Sequence, residues 1–185
     1  MTVRDNRRAA ALGRMADHLL AVGLRGASLR ALAAAAGTSD RMLLYYFTDK
    51  DDLLTATLGE VATRMLPLLE SAGASAAPRP FEVLLPEIGK VFAQPEIKPF
   101  MQLWLELAAY AGRGEEPYLT VAGLIADGFL AWIAERLEAG SDDRVAQAAR
   151  LLAAVEGAAV LAAVGREEIT RGALAASLWP PSETR

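Results

Sequence analysis

The chain has 185 residues, 53% apolar and 23% charged, with net charge −4, one histidine and no cysteine. That length and apolar share support one good-sized core or two small ones and exclude a disordered tail. Without cysteine there is no disulfide or thiol chemistry, which fits a reducing cytoplasm, and a single histidine leaves too few donors for the usual zinc sites.

Charge is unevenly spread. Residues 1–50 carry eight Arg and Lys against four Asp, net +4, while the other 135 carry eleven basic against nineteen acidic groups, net −8. A basic N-terminal third on an acidic body suits one end to meet an anion, although a solvated helix face would give the same count. The N-terminus, "MTVRDNRRAA", is charged and leads into no signal-peptide core. The most apolar windows, "YLTVAGLIADGFLAWIA" and "LLAAVEGAAVLAAVG", fall short of a full span and carry Asp127 and Glu156. Both read as buried helices, and no membrane partner is expected.

Helical periodicity runs along the whole chain. Leu12, Met15, Ala16, Leu19 and Leu20 share one helix face, and Gly23 suits a stop. Ser28 can cap a short helix with Leu29, Leu32, Ala33 and Ala36 inward, and Gly37 can end it in a left-handed conformation. Ser39 or Thr38 can cap a third short helix that turns Leu43, Tyr46 and Phe47 inward. A longer helix follows "FTDKDD", with Leu54, Leu58, Val61, Met65 and Leu68 on one stripe and Pro67 bending or ending it. "SAGASAAPRP", 71–80, reads as a linker. Helices are expected over roughly 81–93, 98–111, 117–139, 142–164 and 167–178, and no window alternates long enough for a strand. The fold class is all-α, with about nine helices.

Three helices of this kind, the last two short and joined by a glycine turn, describe a helix-turn-helix. Helix three would offer Ser39, Asp40, Arg41 and Met42 to a major groove, with Leu43 and Phe47 anchoring it from behind. Arg41 suits a bidentate contact to guanine, worth roughly 1–3 kcal/mol of discrimination. Asp40 either accepts from a cytosine or pairs with Arg41. Ser28, Tyr45, Tyr46 and Lys50 suit phosphate oxygens. Two short helices with a glycine turn also occur as scaffold in bundles that never touch DNA.

The stretch "SLRALAAAAGTSDRMLLYYFTDKDDLL", Ser28 to Leu54, resembles the DNA-binding region of TetR-family transcriptional regulators. The matching features are the Ser28 hydroxyl, the Ala36-Gly37-Thr38-Ser39 turn, an aromatic helix ending at Phe47, then Lys50 and the paired Leu53-Leu54. "ALGRMADHLLAVG" resembles the family's first helix, with Leu20 where an aromatic is commoner. Two positions depart. Leu44 stands where a phosphate-binding tyrosine is frequent, which shifts that contact to Tyr45 and Tyr46. Asp40-Arg41-Met42 replaces smaller or neutral residues, so no operator sequence carries over.

The resemblance implies a helix-turn-helix DNA-binding domain over 1–50, with a connecting helix to about 70, and a ligand-sensing and dimerisation domain over 71–185. It implies as partners double-stranded operator DNA, a small-molecule effector and a second copy of the chain, with no cofactor. Helix 142–164 is apolar nearly all round, and a second chain is a natural cover for its outer face. The expected dimer residues are Leu151, Val155, Ala158 and Ala162, with Ile169, Ala173 and Ala176 of the next helix. Phe100, Met101, Trp104, Glu106, Tyr110, Phe129 and Trp132 are the candidate pocket residues, although aromatics at helical spacing equally form packed core. Glu156 suits either the interface or the pocket, and His18 reads as structural.

A homodimeric regulator, a repressor released by a largely apolar ligand, is therefore the leading expectation. The alternative is an all-α interaction protein whose helix-turn-helix is only scaffold. An enzyme is not expected, because most nucleophile–base sets cannot be built from one His, no Cys and no phosphate loop.

Overall fold

The computed structural model describes residues 2–71, 77–138 and 143–170. Its elements are α1 (Val3–Val22), a 3-10 turn (Leu24–Gly26), α2 (Leu29–Ala36), α3 (Asp40–Tyr46), α4 (Lys50–Ser71), α5 (Phe81–Phe92), α6 (Lys98–Ala111), α7 (Tyr118–Arg136) and α8 (Arg144–Ala163). The only extended pairing among the described residues is an isolated bridge between Arg79 and Leu137. The protein is all-α, as its periodicity predicts. Of the helix expected over 167–178, residues 167–170 are helical and the rest lies outside the described residues.

Local chemistry sets the helix ends. Thr2 and Asp5 form a reciprocal capping box at the start of α1. The apolar face of that helix begins only near Leu12, so its first turns are set by the cap rather than by burial. Gly23, with φ of 75°, closes α1 and returns its amide to Leu19. Pro67 does not end α4, which continues to Ser71. The expected stripe of α4 holds at Leu54, Leu58, Val61 and Met65, and its next buried member is Leu69, with Leu68 half-buried.

Two compact units emerge from the packing: residues 1–68 with 99–126, and residues 69–98 with 127–185. Segment 99–126, expected within the sensing domain, groups with the N-terminal helices. In the first unit Met15, Leu19, Leu32, Leu43, Leu53 and Leu54 are almost completely buried. Burying one such side chain contributes about 1.5–3 kcal/mol. In the second, Leu84 and Ile88 of α5, Ile133 and Leu137, and Ala148, Leu151 and Val155 of α8 are buried.

The expectation that the apolar windows of α7 and α8 are buried helices is met on one face of each. By length and composition both could cross a membrane, yet only 22% and 17% of their apolar windows are buried. Leu119 and Leu124 on α7, Val145 and Val160 on α8, and Val164 at its C-cap face outward. Among the described residues, one side of each helix is covered and the other is exposed.

Candidate nucleic-acid interface

The α2–α3 pair is built by three local devices. Ser28 caps α2, its hydroxyl accepting from the Ala31 amide at 3.2 Å. Gly37 adopts the left-handed conformation (φ 68°, ψ 36°) and donates to the carbonyls of Ala33 and Ala34. Ser39, rather than Thr38, then caps α3 by accepting from the Met42 amide at 3.3 Å. Arg14 of α1 donates from Nε to the Ala36 carbonyl at 2.9 Å, tying the end of α2 to the first helix.

Leu43 and Phe47 are buried and fix α3 from behind. Asp40, Arg41, Met42, Leu44 and Tyr45 are exposed, with Tyr45 at 60%, while Thr38 and Tyr46 are half-buried. Among the described residues no ion pair joins Asp40 to Arg41; Asp40 instead occupies the first position of α3, where a carboxylate complements the helix dipole. Tyr45 and Tyr46 meet edge to face at 5.5 Å. The turn into α4 is held by Asp52 accepting from Thr48 N–H and Asp49 accepting from Asp52 N–H, both at 2.8 Å. That turn presents Lys50, exposed, as the first residue of α4.

Two arginines of α1 join this surface, and composition alone shows them only as part of the N-terminal positive charge. Arg4 lies 4.9 Å from the Tyr45 ring centre, and its Nη2 donates to the Tyr45 carbonyl at 3.4 Å. Arg8 stacks over Phe47 at 4.6 Å. Their spacing on one face of α1 was a visible signal; their meeting with α3, some forty residues on, was not. The result is a basic, aromatic cluster of Arg4, Arg8, Tyr45 and Phe47 at the end of α3, the helix that also exposes Arg41 and Leu44, the latter at 46%. Arginine planes, hydroxyls and an outward helix of this kind suit a phosphate backbone flanking a groove.

The other expected site residues fall in both units. Phe100, Met101, Trp104, Glu106 and Tyr110 lie on α6 in the first, and Phe129 and Trp132 on α7 in the second. Phe100 is buried, and Met101, Trp104 and Tyr110 are half-buried. The Glu106 carboxylate accepts from the Leu24 amide at 2.6 Å. Tyr110 stacks on Tyr118 at 4.8 Å. Phe129 meets Trp132 at 6.4 Å and Phe92 at 6.1 Å, both edge to face. Of the expected dimer residues, Leu151 and Val155 are buried in their own unit, Ala158 and Glu156 are half-buried, and Ala162 and Ile169 are exposed. Ala173 and Ala176 lie outside the described residues. His18 is half-buried at the edge of the 3-10 turn, beside Gly26.

The class defined by these elements is a helix-turn-helix domain carried by an all-helical chain. Residues 16–57 match the family model of bacterial regulatory proteins of the tetR family. No curated protein matches the chain in sequence. Among solved structures, a Rhodococcus sp. protein assigned to the TetR family superposes with a TM-score of 0.72 at 24% identity, covering 94% of this chain and 97% of that one. A transcriptional regulator from Rhodococcus sp. Rha1 gives 0.67 at 21% identity over 96% and 94%. Escherichia coli NemR in its reduced form gives 0.66 at 20% over 92% and 95%. The chain thus carries a TetR-family N-terminal domain and has, over nearly its whole length, the fold of TetR-family transcriptional regulators.

Proposed function

We propose that this protein is a sequence-specific DNA-binding transcriptional regulator, a homodimeric repressor that a small, largely apolar ligand releases from its operator. The observation that carries the DNA reading is α3 itself. Its outer face is free, its inner face is locked by Leu43 and Phe47, and Arg41 stands in its first exposed turn. Ser28, Thr38, Ser39, Asp40, Met42, Tyr45, Tyr46 and Lys50 frame it, and Arg4 and Arg8 extend the same surface. Arg41 is assigned to base reading, and the hydroxyls and lysine to phosphates.

The dimer reading is supported by α8. Val145, at 71% exposure, Val160 and the C-cap residue Val164 project from a helix whose opposite face already packs on α5. A second copy laying the same face against them would remove that apolar surface from water, at about 25 cal/mol per Å². The ligand reading is supported by the aromatic side chains of α6 and α7, and it requires only that the ligand bind the DNA-free form more tightly than the DNA-bound form. With no cysteine in the chain, the signal is not thiol oxidation. The expected location is the cytoplasm, where operator DNA is found.

The test is an operator-binding titration with Arg41→Ala and Lys50→Ala together. The regulator reading predicts loss of sequence-dependent binding with an unchanged fold. Retained binding would favour the scaffold alternative.

A further inference from the structure

The second unit contains a buried cation whose hydrogen-bonding capacity is only partly used among the described residues. Arg136, in the last turn of α7, is 5% exposed, and Trp132, one turn earlier, is 7% exposed. The guanidinium carbon lies 3.9 Å from the Trp132 ring centre, and Nη1 donates to the Trp132 carbonyl at 3.0 Å. Among the described residues neither Arg136 Nε nor the indole Nε1 has a hydrogen-bond partner, although both atoms are closed off from solvent. The only carboxylate paired with the guanidinium among the described residues is Glu70, at 3.7 Å and with its side chain 61% exposed. Burial pushes the Arg136 pKa down, only partly countered by the charges of Glu70 and Glu135.

Buried polar groups are nearly always paired, and an orphaned charged donor is among the more costly features a core can hold. Here two adjacent groups are orphaned among the described residues, and both are donors. What they lack is an acceptor, and the guanidinium's incompletely balanced charge favours an anionic one. The surroundings are apolar: Phe129 stands edge-on to Trp132, and Phe92 of α5 edge-on to Phe129. Glu87 of α5 also has a buried Oε2 without a partner among the described residues, but as an acceptor not joined to Arg136 it does not complete the pair.

The geometry points to a carboxylate-bearing effector, an organic acid with an apolar or aromatic body, whose carboxylate takes the Nε–H of Arg136 and the Nε1–H of Trp132 while its body lies against Phe129 and Phe92. This deepens, and rests on, the ligand-responsive reading above. Because both donors are closed off from solvent, an acid reaches them only when the helices around them part. The acid therefore stabilises that parted form, which is what an effector must do to shift an equilibrium. Charge-assisted pairs of this kind are the strong ones.

The test is calorimetric titration and thermal unfolding of the full chain with octanoate, decanoate, phenylacetate and benzoate, each against its methyl ester. The expected result is saturable binding of at least one acid, at least tenfold tighter than its ester, with a raised melting temperature. Arg136→Met abolishes the acid–ester difference, and Trp132→Phe, which keeps a ring but removes the donor, weakens the acid several-fold. The second variant keeps the test decisive if the first does not fold. Equal binding of acid and ester, preference for the acid retained in Arg136→Met, or no binding of any of the four acids overturns the inference. Operator release measured in parallel separates the two readings. Esters that release DNA while acids do not would overturn the carboxylate assignment and leave the ligand-responsive reading standing.

Discussion

Glu106 of α6 accepts the amide proton of Leu24, the first residue of the 3-10 turn after α1, at 2.6 Å. The turn has few other ways to satisfy that amide, because the positive φ of Gly23 takes the chain out of the helix just before it. A Cβ on Gly23 would overlap the same carboxylate. Glu106→Ala is expected to cost about 1–2 kcal/mol in urea unfolding, as for a lost hydrogen bond to a charged group in a half-buried site. Glu106→Gln, which keeps an acceptor, should recover part of it. Gly23→Ala should be worse than Glu106→Ala, since it adds backbone strain to the overlap.

Gly37 provides a cleaner case of backbone cost. Nothing lies within 4 Å of where its Cβ would be, so Gly37→Ala meets no steric obstacle. The whole expected penalty, about 1 kcal/mol, comes from the left-handed angle, and Gly37→Asn should cost less because asparagine tolerates it. Thermal unfolding of the two variants checks the order.

Arg4 and Arg8 provide a prediction about charge. If each meets a phosphate, Arg4→Ala or Arg8→Ala lowers the slope of log K against log salt by about one per contact in each subunit and weakens all duplexes alike. Arg41→Ala should instead relax preference at one base pair. An unchanged slope in Arg4→Ala would mean that Arg4 only supports Tyr45.

Two groups give stability a pH dependence of known sign. The Asp5 carboxyl is held below 3.8 by the Thr2 amide and hydroxyl of the capping box, with help from Arg4 and Arg8. Its folded pKa is depressed, so its contribution is present above pH 3.8 and is lost as pH falls through the folded value. Asp5→Ala should therefore differ from the parent at neutral pH and converge with it in acid. Tyr118 is the opposite case. Burial, and then the charges of Tyr110, Glu115 and Asp51, raise its pKa above 10. Its contribution is complete below pH 10 and declines as pH rises through the folded value, a decline that Tyr118→Phe should remove.

The exposed face of α8 predicts an assembly. Val160→Glu places a charge where a second copy is expected, on a residue 50% exposed in the single chain. Sedimentation should show the parent as a dimer and the variant as a folded monomer. A parent that sediments as a monomer would remove the dimer reading.

What could be read from the sequence was local. Gly37 and Ser39 announced the turn because a left-handed angle and a helix cap each need a particular residue type within a few positions. Leu43 and Phe47 were legible as anchors by spacing. Contacts between distant segments were not: Glu106 reaches Leu24 across 82 positions and Arg4 reaches Tyr45 across 41, and no periodicity records either. Nor does apolar composition say which face of a helix its own chain covers, so α7 and α8 read as buried helices when each buries only one side. In sequence, Arg136 is a lone arginine near a helix end, a position that usually means a solvated side chain. Only its burial against Trp132 sets it apart.

The measurement that bears most directly on the central claim is binding of the full chain to a short palindrome selected from random duplex, at several salt concentrations. A dimeric reader with its two α3 helices in successive major grooves, roughly 34–36 Å apart, should bind tightly and with sequence preference. Its log K should fall steeply and linearly with log salt. Weak binding even at low salt, with no duplex preferred, would mean that the α2–α3 pair is scaffold and would contradict the account.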